Sequence, residues 1–189
     1  FGLAACVGRE DEARRYIDEA VDYAAAIGAG SVHVMAGRTD GSVAAGTAFC
    51  EALAYAGAAA ARYDMTILIE PINKRDVANY HLSTVEAGVA TIKEVGLGNI
   101  KLRFDSYHIQ IMQGDLIRRI EANLDFIGHI QIAAVPDRAE PDHGELAYKD
   151  IFLALNAAGY DGFIGAEYRP AQSTDAGLGW LEKARGWQK

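Results

Sequence analysis

Short apolar runs recur along the chain at nearly constant spacing, and helix-like segments separate them. The runs begin at residues 31, 66, 100, 127 and 162, so consecutive starts lie 27 to 35 residues apart. Each run is predicted to be a strand: SVHVM, TILIE, IKLRF, IGHIQI and GFIGAE. Strands that alternate with helices form parallel sheets with right-handed crossovers. The chain is therefore predicted to be an α/β protein built from a series of βα units.

The predicted helices are rich in alanine and charged residues, and they cover residues 10–27, 45–63, 84–95, 115–124, 148–158 and 174–184. Gly28 and Gly159 are predicted to end two of them, because glycine readily adopts the left-handed backbone conformation. Ser83 is the predicted N-cap of the third helix. No linker or low-complexity tract interrupts the series, so residues 1–189 are predicted to form a single domain.

Two folds suit a series of βα units, namely an open doubly wound sheet and a closed barrel. No glycine-rich phosphate loop such as GxGxxG follows any strand, which weighs against a flavodoxin-like binding module. Glu70, Asp105, Gln131 and Glu167 lie at or near the carboxyl ends of four successive strands. A barrel brings those ends to one mouth, whereas an open sheet spreads them along a line. The pattern therefore favours a (β/α)8 TIM barrel, of which this chain supplies about the last five βα units.

An eight-unit barrel needs more units than this sequence contains. About three further units, roughly 70 to 100 residues, are therefore expected before Phe1 in the full protein. On their own, the units in this sequence would leave two unpaired sheet edges.

The four strand-end residues form an oxygen-rich set of three carboxylates and one amide. Taken singly, each has a structural explanation, such as a helix cap or a salt bridge. Hard oxygen ligands suit Mg2+ or Mn2+ better than a metal that prefers thiolate. The joint pattern therefore predicts one divalent metal ion, bound by Glu70, Asp105, Gln131 and Glu167.

Two more polar residues are candidate substrate contacts. His108 follows Asp105 by three positions, where it can donate a hydrogen bond to a substrate oxygen. Arg138 lies on the loop after the fourth strand and can pair with a substrate carboxylate through two parallel hydrogen bonds. The alternatives are a structural histidine and a solvated arginine. His33 and His81 give no functional indication.

The composition limits the expected partners. A net charge of -8 argues against nucleic-acid binding, which usually leaves a basic footprint. No signal peptide is evident, and no apolar run approaches the roughly 20 residues of a membrane span, so no membrane partner is expected. Two cysteines without CxxC spacing are typical of a reduced, cytoplasmic protein.

Six segments together resemble the hydroxypyruvate isomerase family, within the xylose-isomerase-like barrel superfamily. They are ILIEPIN at 67–73, KLRFDSYH at 101–108, GHIQIA at 128–133, GELAY at 144–148, GFIGAEYRP at 162–170 and TDAGLGW at 174–180. The resemblance covers the chain from Gly2 onward. It implies that Glu70 and Glu167 are the two proton-transfer residues as well as metal ligands, and that His108 and Arg138 contact the substrate.

The family implies an isomerase that interconverts hydroxypyruvate and tartronate semialdehyde, or a close 2-oxo sugar acid, through a cis-enediolate. The glutamine at position 131 resembles the hydroxypyruvate isomerase branch, because the ketose epimerases usually have histidine at this position. Two segments depart from the family pattern: AAVP at 133–136, where the family continues from HIQIA with Asp and Asn-Pro, and EPDHGE at 140–145, where it reads EPGTGE. Both departures leave the ligand set intact and bear on the identity of the substrate.

Other functions fit parts of the pattern. A ketose 3-epimerase or another sugar isomerase would use the same site, and Gln131 and Arg138 weigh modestly against a neutral ketose. A non-catalytic truncated barrel or a binding protein is the alternative of another class. A barrel endonuclease would need several zinc-binding histidines and a basic face, which five scattered histidines and the net charge oppose. The partners expected are a small hydroxy-carbonyl acid and, through the exposed sheet edge, further copies of the chain in a homo-oligomer.

Overall fold

The structure is a computed structural model that describes residues 2–187. The chain divides into two compact units, Phe1–Arg103 and Phe104–Lys189, which are described separately. The first contains α1 (Glu10–Ile27), β1 (Ser31–His33), α2 (Val43–Ala61), β2 (Thr66–Ile69), α3 (Val85–Val95) and most of β3 (Ile100–Asp105). The second contains the end of β3, α4 (Ser106–Met112), α5 (Leu116–Asn123), β4 (Ile127–Ile132), α6 (Tyr148–Ala157), β5 (Ile164–Ala166) and α7 (Gly179–Arg185). The single domain stays a prediction.

The strands of the first unit run parallel in the order β1-β2-β3. Their register places His33 beside Leu68, and Ile69 beside Leu102. The central strand β2 has the apolar sequence TILI, and its last three side chains are buried. A parallel strand covered on both faces is expected to show such a continuous apolar run.

Local capping explains where two helices of the first unit begin and end. Gly28 ends α1 in the left-handed conformation, with φ 71°, as the sequence predicted. The N-cap of α3 is Thr84 rather than Ser83, because the Thr84 hydroxyl accepts a hydrogen bond from the backbone N–H of Ala87 at 3.3 Å. The predicted N-cap, Ser83, was therefore wrong by one residue.

Helix α2 corrects one expectation about the sequence. It has 19 residues and a mean hydropathy of 1.3, which are the length and composition of a membrane span. About half of this segment is buried in the structure, and the helix packs against α1, β2 and α3. A core helix rich in alanine passes the same hydropathy test, so the expectation of no membrane partner stays a prediction.

In the second unit, β4 pairs parallel with β5, from Ile130 beside Ile164 to Ile132 beside Ala166. The helix α4 was not predicted; it begins directly after Asp105, whose side chain caps it. The predicted helix over residues 174–184 consists of a short 3-10 turn followed by α7. Gly177 and Gly179 explain the division, because glycine is a poor helix former.

Candidate active site

Glu70 directly follows β2, and only 4% of its surface is exposed. Two side chains from the neighbouring strands face its carboxylate. His33 Nε2 lies 3.7 Å from Oε2, and Arg103 Nε lies 3.9 Å from Oε1. Each carboxylate oxygen therefore has a nitrogen beside it at slightly more than hydrogen-bond distance.

The protonation of His33 follows from its second contact. Arg103 Nη1 lies 2.9 Å from His33 Nδ1, and a guanidinium can only donate, so Nδ1 accepts and the ring proton is on Nε2. Burial and, to a smaller extent, the positive charge of Arg103 together lower the pKa of His33 to about 3. A neutral imidazole therefore directs its N–H toward Glu70, and the contact is not a salt bridge.

The loop after β2 is packed into the first unit. The Ile72 backbone N–H donates to the Leu82 carbonyl at 3.0 Å, and the Tyr80 hydroxyl accepts from the Ala36 N–H at 3.0 Å. Burial raises the pKa of Tyr80, so its hydroxyl stays protonated. Glu70 is thus the first residue of a segment that is fixed at several points.

In the second unit, Asp105 is fully buried at the end of β3. Its Oδ1 accepts a hydrogen bond from the Tyr107 N–H at 2.9 Å, which caps α4. Its Oδ2 lies 3.6 Å from His108 Nε2 and 3.5 Å from Arg138 Nη2. One oxygen of Asp105 therefore caps α4, and the other faces both predicted substrate contacts, His108 and Arg138.

Arg138 connects the ends of two strands within this unit. Its Nη2 donates to Glu167 Oε2 at 2.8 Å, and its guanidinium carbon lies 5.0 Å from the centre of the Tyr107 ring. Its backbone is in the left-handed region, with φ 56°, and its carbonyl accepts from the Arg169 N–H at 2.7 Å. The side chain is therefore held by a carboxylate, an aromatic face and a fixed backbone.

The loop that carries Arg138 is held by residues of the GELAY segment. The Tyr148 hydroxyl donates to the Ala133 carbonyl at 2.7 Å and accepts from the Ala133 N–H at 3.0 Å. Gly144 has φ 82°, and an added Cβ would lie 2.2 Å from the Val135 carbonyl oxygen. Only glycine fits there without displacing the backbone, so this segment supports the loop after β4.

Gln131 and Glu167 belong to neighbouring strand ends. Gln131 is 7% exposed and pairs in register with Gly165, two residues before Glu167. The Glu167 N–H donates to the Ile132 carbonyl at 3.1 Å, which continues the ladder past β5. The Glu167 side chain is 48% exposed, in contrast to the burial of Glu70. Since side chains two residues apart in a strand share a face, Gln131 and Glu167 lie on the same side.

The structure places all six predicted site residues at strand ends or in the segments that follow them. Within the second unit it brings Asp105, His108, Arg138 and Glu167 together. The sequence analysis did not identify His33 and Arg103 as neighbours of Glu70, or Tyr107 as a neighbour of Arg138. Arg103 had a usable signal, because alternation along a strand puts it on the same face as Asp105.

Comparisons with known proteins agree with the predicted fold and family. The sequence profile of the family described as Xylose isomerase-like TIM barrel matches residues 3–184. The chain is 49% identical to the 2-oxo-tetronate isomerase of Cupriavidus necator over 98% of this chain and 72% of that protein. It is 36% identical to the hydroxypyruvate isomerase of Escherichia coli over 97% of this chain and 72% of that protein.

A solved structure from Brucella melitensis, described as an AP endonuclease of family 2, matches with a TM-score of 0.93. The two sequences are 41% identical, and the match covers 96% of this chain and 71% of the other. The chain therefore belongs to the xylose isomerase-like TIM barrel family. The resemblance indicated by the six sequence segments is confirmed, and the presence of βα units before Phe1 stays a prediction.

Proposed function

We propose that this isomerase interconverts hydroxypyruvate and tartronate semialdehyde, or acts on a close 2-oxo sugar acid. The observation that carries the proposal is Arg138, which contacts Asp105 and Glu167 and thus places a guanidinium beside two of the proposed catalytic-site carboxylates. A carboxylate-bearing substrate needs such a cation, and a neutral sugar does not. The relatives named 2-oxo-tetronate isomerase and hydroxypyruvate isomerase support the same choice.

We propose that Glu70, Asp105, Gln131 and Glu167 bind one divalent metal ion, Mg2+ or Mn2+. The donor set fits, because it offers three carboxylates and an amide oxygen, and three of these four side chains are buried. A metal ion bound there would polarise the substrate carbonyl and stabilise the negative charge that develops on oxygen. In a TIM barrel the carboxyl ends of the strands form the active-site mouth, which is the reason to assign the four residues to one site.

The two glutamates are proposed to move the proton. One glutamate carboxylate takes a proton from the hydroxyl-bearing carbon of hydroxypyruvate, and the C–H electron pair forms the double bond of a cis-enediolate. The other glutamate delivers a proton to the former carbonyl carbon, and the hydroxyl proton passes from one oxygen to the other. The product, tartronate semialdehyde, has the same atoms as the substrate, so no oxidant or reductant is needed.

His108 and Arg138 are proposed to bind the substrate. His108 is buried beside Asp105, and its imidazole is proposed to donate a hydrogen bond to a substrate oxygen. Both carboxylate contacts of Arg138 use Nη2. A guanidinium carries further donors on Nε and Nη1, which suit the carboxylate of the substrate.

A ketose 3-epimerase is the second candidate, since the same carboxylates could exchange a proton at one carbon. The guanidinium of Arg138 favours the acid substrate, because a neutral ketose would leave its remaining donors without an anion. Direct comparison of the two substrate classes decides between them.

The test is isomerisation by the full-length protein in the presence of Mg2+ or Mn2+, before and after treatment with a chelator. Hydroxypyruvate, 2-oxo-tetronate and a neutral ketose are compared as substrates. Chelator-sensitive turnover of the two acids, with little turnover of the ketose, is expected. Turnover of the ketose alone would move the assignment to an epimerase, and metal binding without any turnover would favour a non-catalytic barrel.

A further inference from the structure

One buried group in the first unit has no part in the mechanism above. His33 ends β1, its side chain is 15% exposed, and it contacts both Arg103 and Glu70. Arg103 is similarly buried, with 16% of its side chain exposed. Burying an imidazole and a guanidinium costs free energy that an apolar pair would not incur. This cost needs an explanation beyond packing.

The strand register explains how the three side chains meet. His33 lies beside Leu68, and Leu68 shares a face of the strand with Glu70, two residues further on. Ile69 lies beside Leu102, so the next pair in register is Glu70 and Arg103. His33 and Arg103 therefore flank Glu70 from the strands on its two sides.

We propose that His33 and Arg103 are a positioning pair for Glu70. Arg103 donates to Nδ1 of His33 and so holds the imidazole as the tautomer with its proton on Nε2. That N–H faces one oxygen of Glu70, and Arg103 itself faces the other. The two contacts restrict rotation of the carboxylate, which keeps one oxygen directed at the site. The inference deepens the proposed function, because it rests on Glu70 being a ligand and a proton-transfer residue.

Paired variants of the full-length protein separate positioning from packing. His33→Leu keeps the side-chain volume but removes both polar contacts, whereas His33→Gln keeps an N–H that can face Glu70. Arg103→Met and Arg103→Lys form the second pair. His81→Leu is the matched control, since His81 is a half-buried histidine of the same unit that contacts Thr39 and Phe49. Circular dichroism and thermal melting establish that each variant is folded.

Loss of an orienting partner of a metal ligand typically reduces metal affinity or activity about 10- to 100-fold. We therefore expect His33→Leu and Arg103→Met to lower kcat or the Mn2+ affinity, measured by calorimetry, by that factor. His33→Gln and Arg103→Lys should recover part of the loss, and His81→Leu should match the wild type. Unchanged kcat and Mn2+ affinity in folded His33→Leu and Arg103→Met would overturn the positioning role.

A third measurement depends on neither the metal nor a substrate. Nitrogen chemical shifts of the His33 ring should show a proton on Nε2 in the wild type, and a mixture of tautomers in Arg103→Met. A wild-type ring with its proton on Nδ1 would overturn the inference. Absence of turnover in the wild type, with the tautomer and Mn2+ results as expected, would instead overturn the proposed substrate and leave the positioning pair standing.

Discussion

Glu70 and Glu167 are the same residue type, each directly follows a strand, and their surroundings differ. Glu70 is buried, with His33 facing one oxygen and Arg103 facing the other. Glu167 has 48% of its side chain exposed, and within the second unit its carboxylate contacts the guanidinium of Arg138 at 2.8 Å. The first carboxylate faces side chains from two neighbouring strands, and the second contacts an arginine that we also assign to the substrate.

This difference suggests that Glu70 and Glu167 have different roles in proton transfer. A substrate bound to Arg138 would contact the same guanidinium that contacts Glu167. The orientation of Glu167 therefore depends on whether substrate is bound. Glu70 depends on His33 and Arg103, which have no assigned contact with the substrate. A fixed group and a substrate-dependent group are suited to different steps of a two-proton reaction.

The largest expected effect is on turnover. Glu70→Gln and Glu167→Gln should each lower kcat by about 10^2- to 10^4-fold, because each removes one proton-transfer group. Steady-state kinetics with hydroxypyruvate and 2-oxo-tetronate measure the loss. Exchange of substrate hydrogen with deuterated solvent then separates the two residues, since only the variant that keeps the first base should still exchange. Near wild-type kcat in either variant would remove that residue from the mechanism.

The free energy of unfolding should distinguish Glu70 from Glu167, although both substitutions lower kcat. Glu70→Ala leaves the buried polar groups of His33 and Arg103 without their carboxylate, which costs about 1–3 kcal/mol. Glu167→Ala removes a half-exposed partner and should cost less than about 1 kcal/mol. Urea unfolding with a chelator present measures both values without a metal contribution. Equal losses of unfolding free energy in the two variants would show that the buried contacts of Glu70 stabilise the protein no more than the exposed contact of Glu167.

The strand ends could be predicted from sequence because they depend on local patterns. Glu70, Asp105 and Gln131 each end or follow an apolar run, and a parallel strand order then limits where they lie. The bounds of α1 agree with the prediction because Gly28 ends it. His33 could not be recognised in the same way, because its role depends on the register of β1 against β2. The contact of Arg138 with Glu167 likewise depends on a left-handed backbone residue that a sequence pattern does not reveal.

The next effect concerns substrate choice. Arg138→Met should raise KM for hydroxypyruvate about 10- to 100-fold, because a hydrogen bond to a charged group contributes about 1.5–3 kcal/mol. The neutral ketose is the control substrate, and its low turnover should change much less. Tyr107→Leu removes the aromatic face below the guanidinium and should weaken binding by a smaller factor, whereas Tyr107→Phe keeps that face. An equal loss for the acid and the ketose would show that Arg138 does not select the carboxylate.

The smallest expected effect is on the stability contributed by His143, which is exposed whereas His33 is buried. His143 Nε2 lies 2.8 Å from Asp137 Oδ2, and its Nδ1 lies 3.5 Å from Asp142, which Lys183 also approaches at 3.5 Å. The hydrogen bond to Asp137 raises the pKa of His143 above its ordinary value of 6.5. The same bond lowers the pKa of Asp137 below its ordinary value of 3.8. Both shifts favour the charged pair.

The sign of each shift defines the pH window of the pair. The contribution of His143 is fully present below pH 6.5 and is lost as the pH rises through its raised pKa. The contribution of Asp137 is fully present above pH 3.8 and is lost as the pH falls through its lowered pKa. A double-mutant cycle with Asp137→Asn and His143→Gln should therefore give a coupling free energy that is greatest near pH 5 and below about 1 kcal/mol, since water screens both groups. A coupling that stays constant up to pH 9 would mean that the interaction between Asp137 and His143 does not depend on the charge of the imidazole.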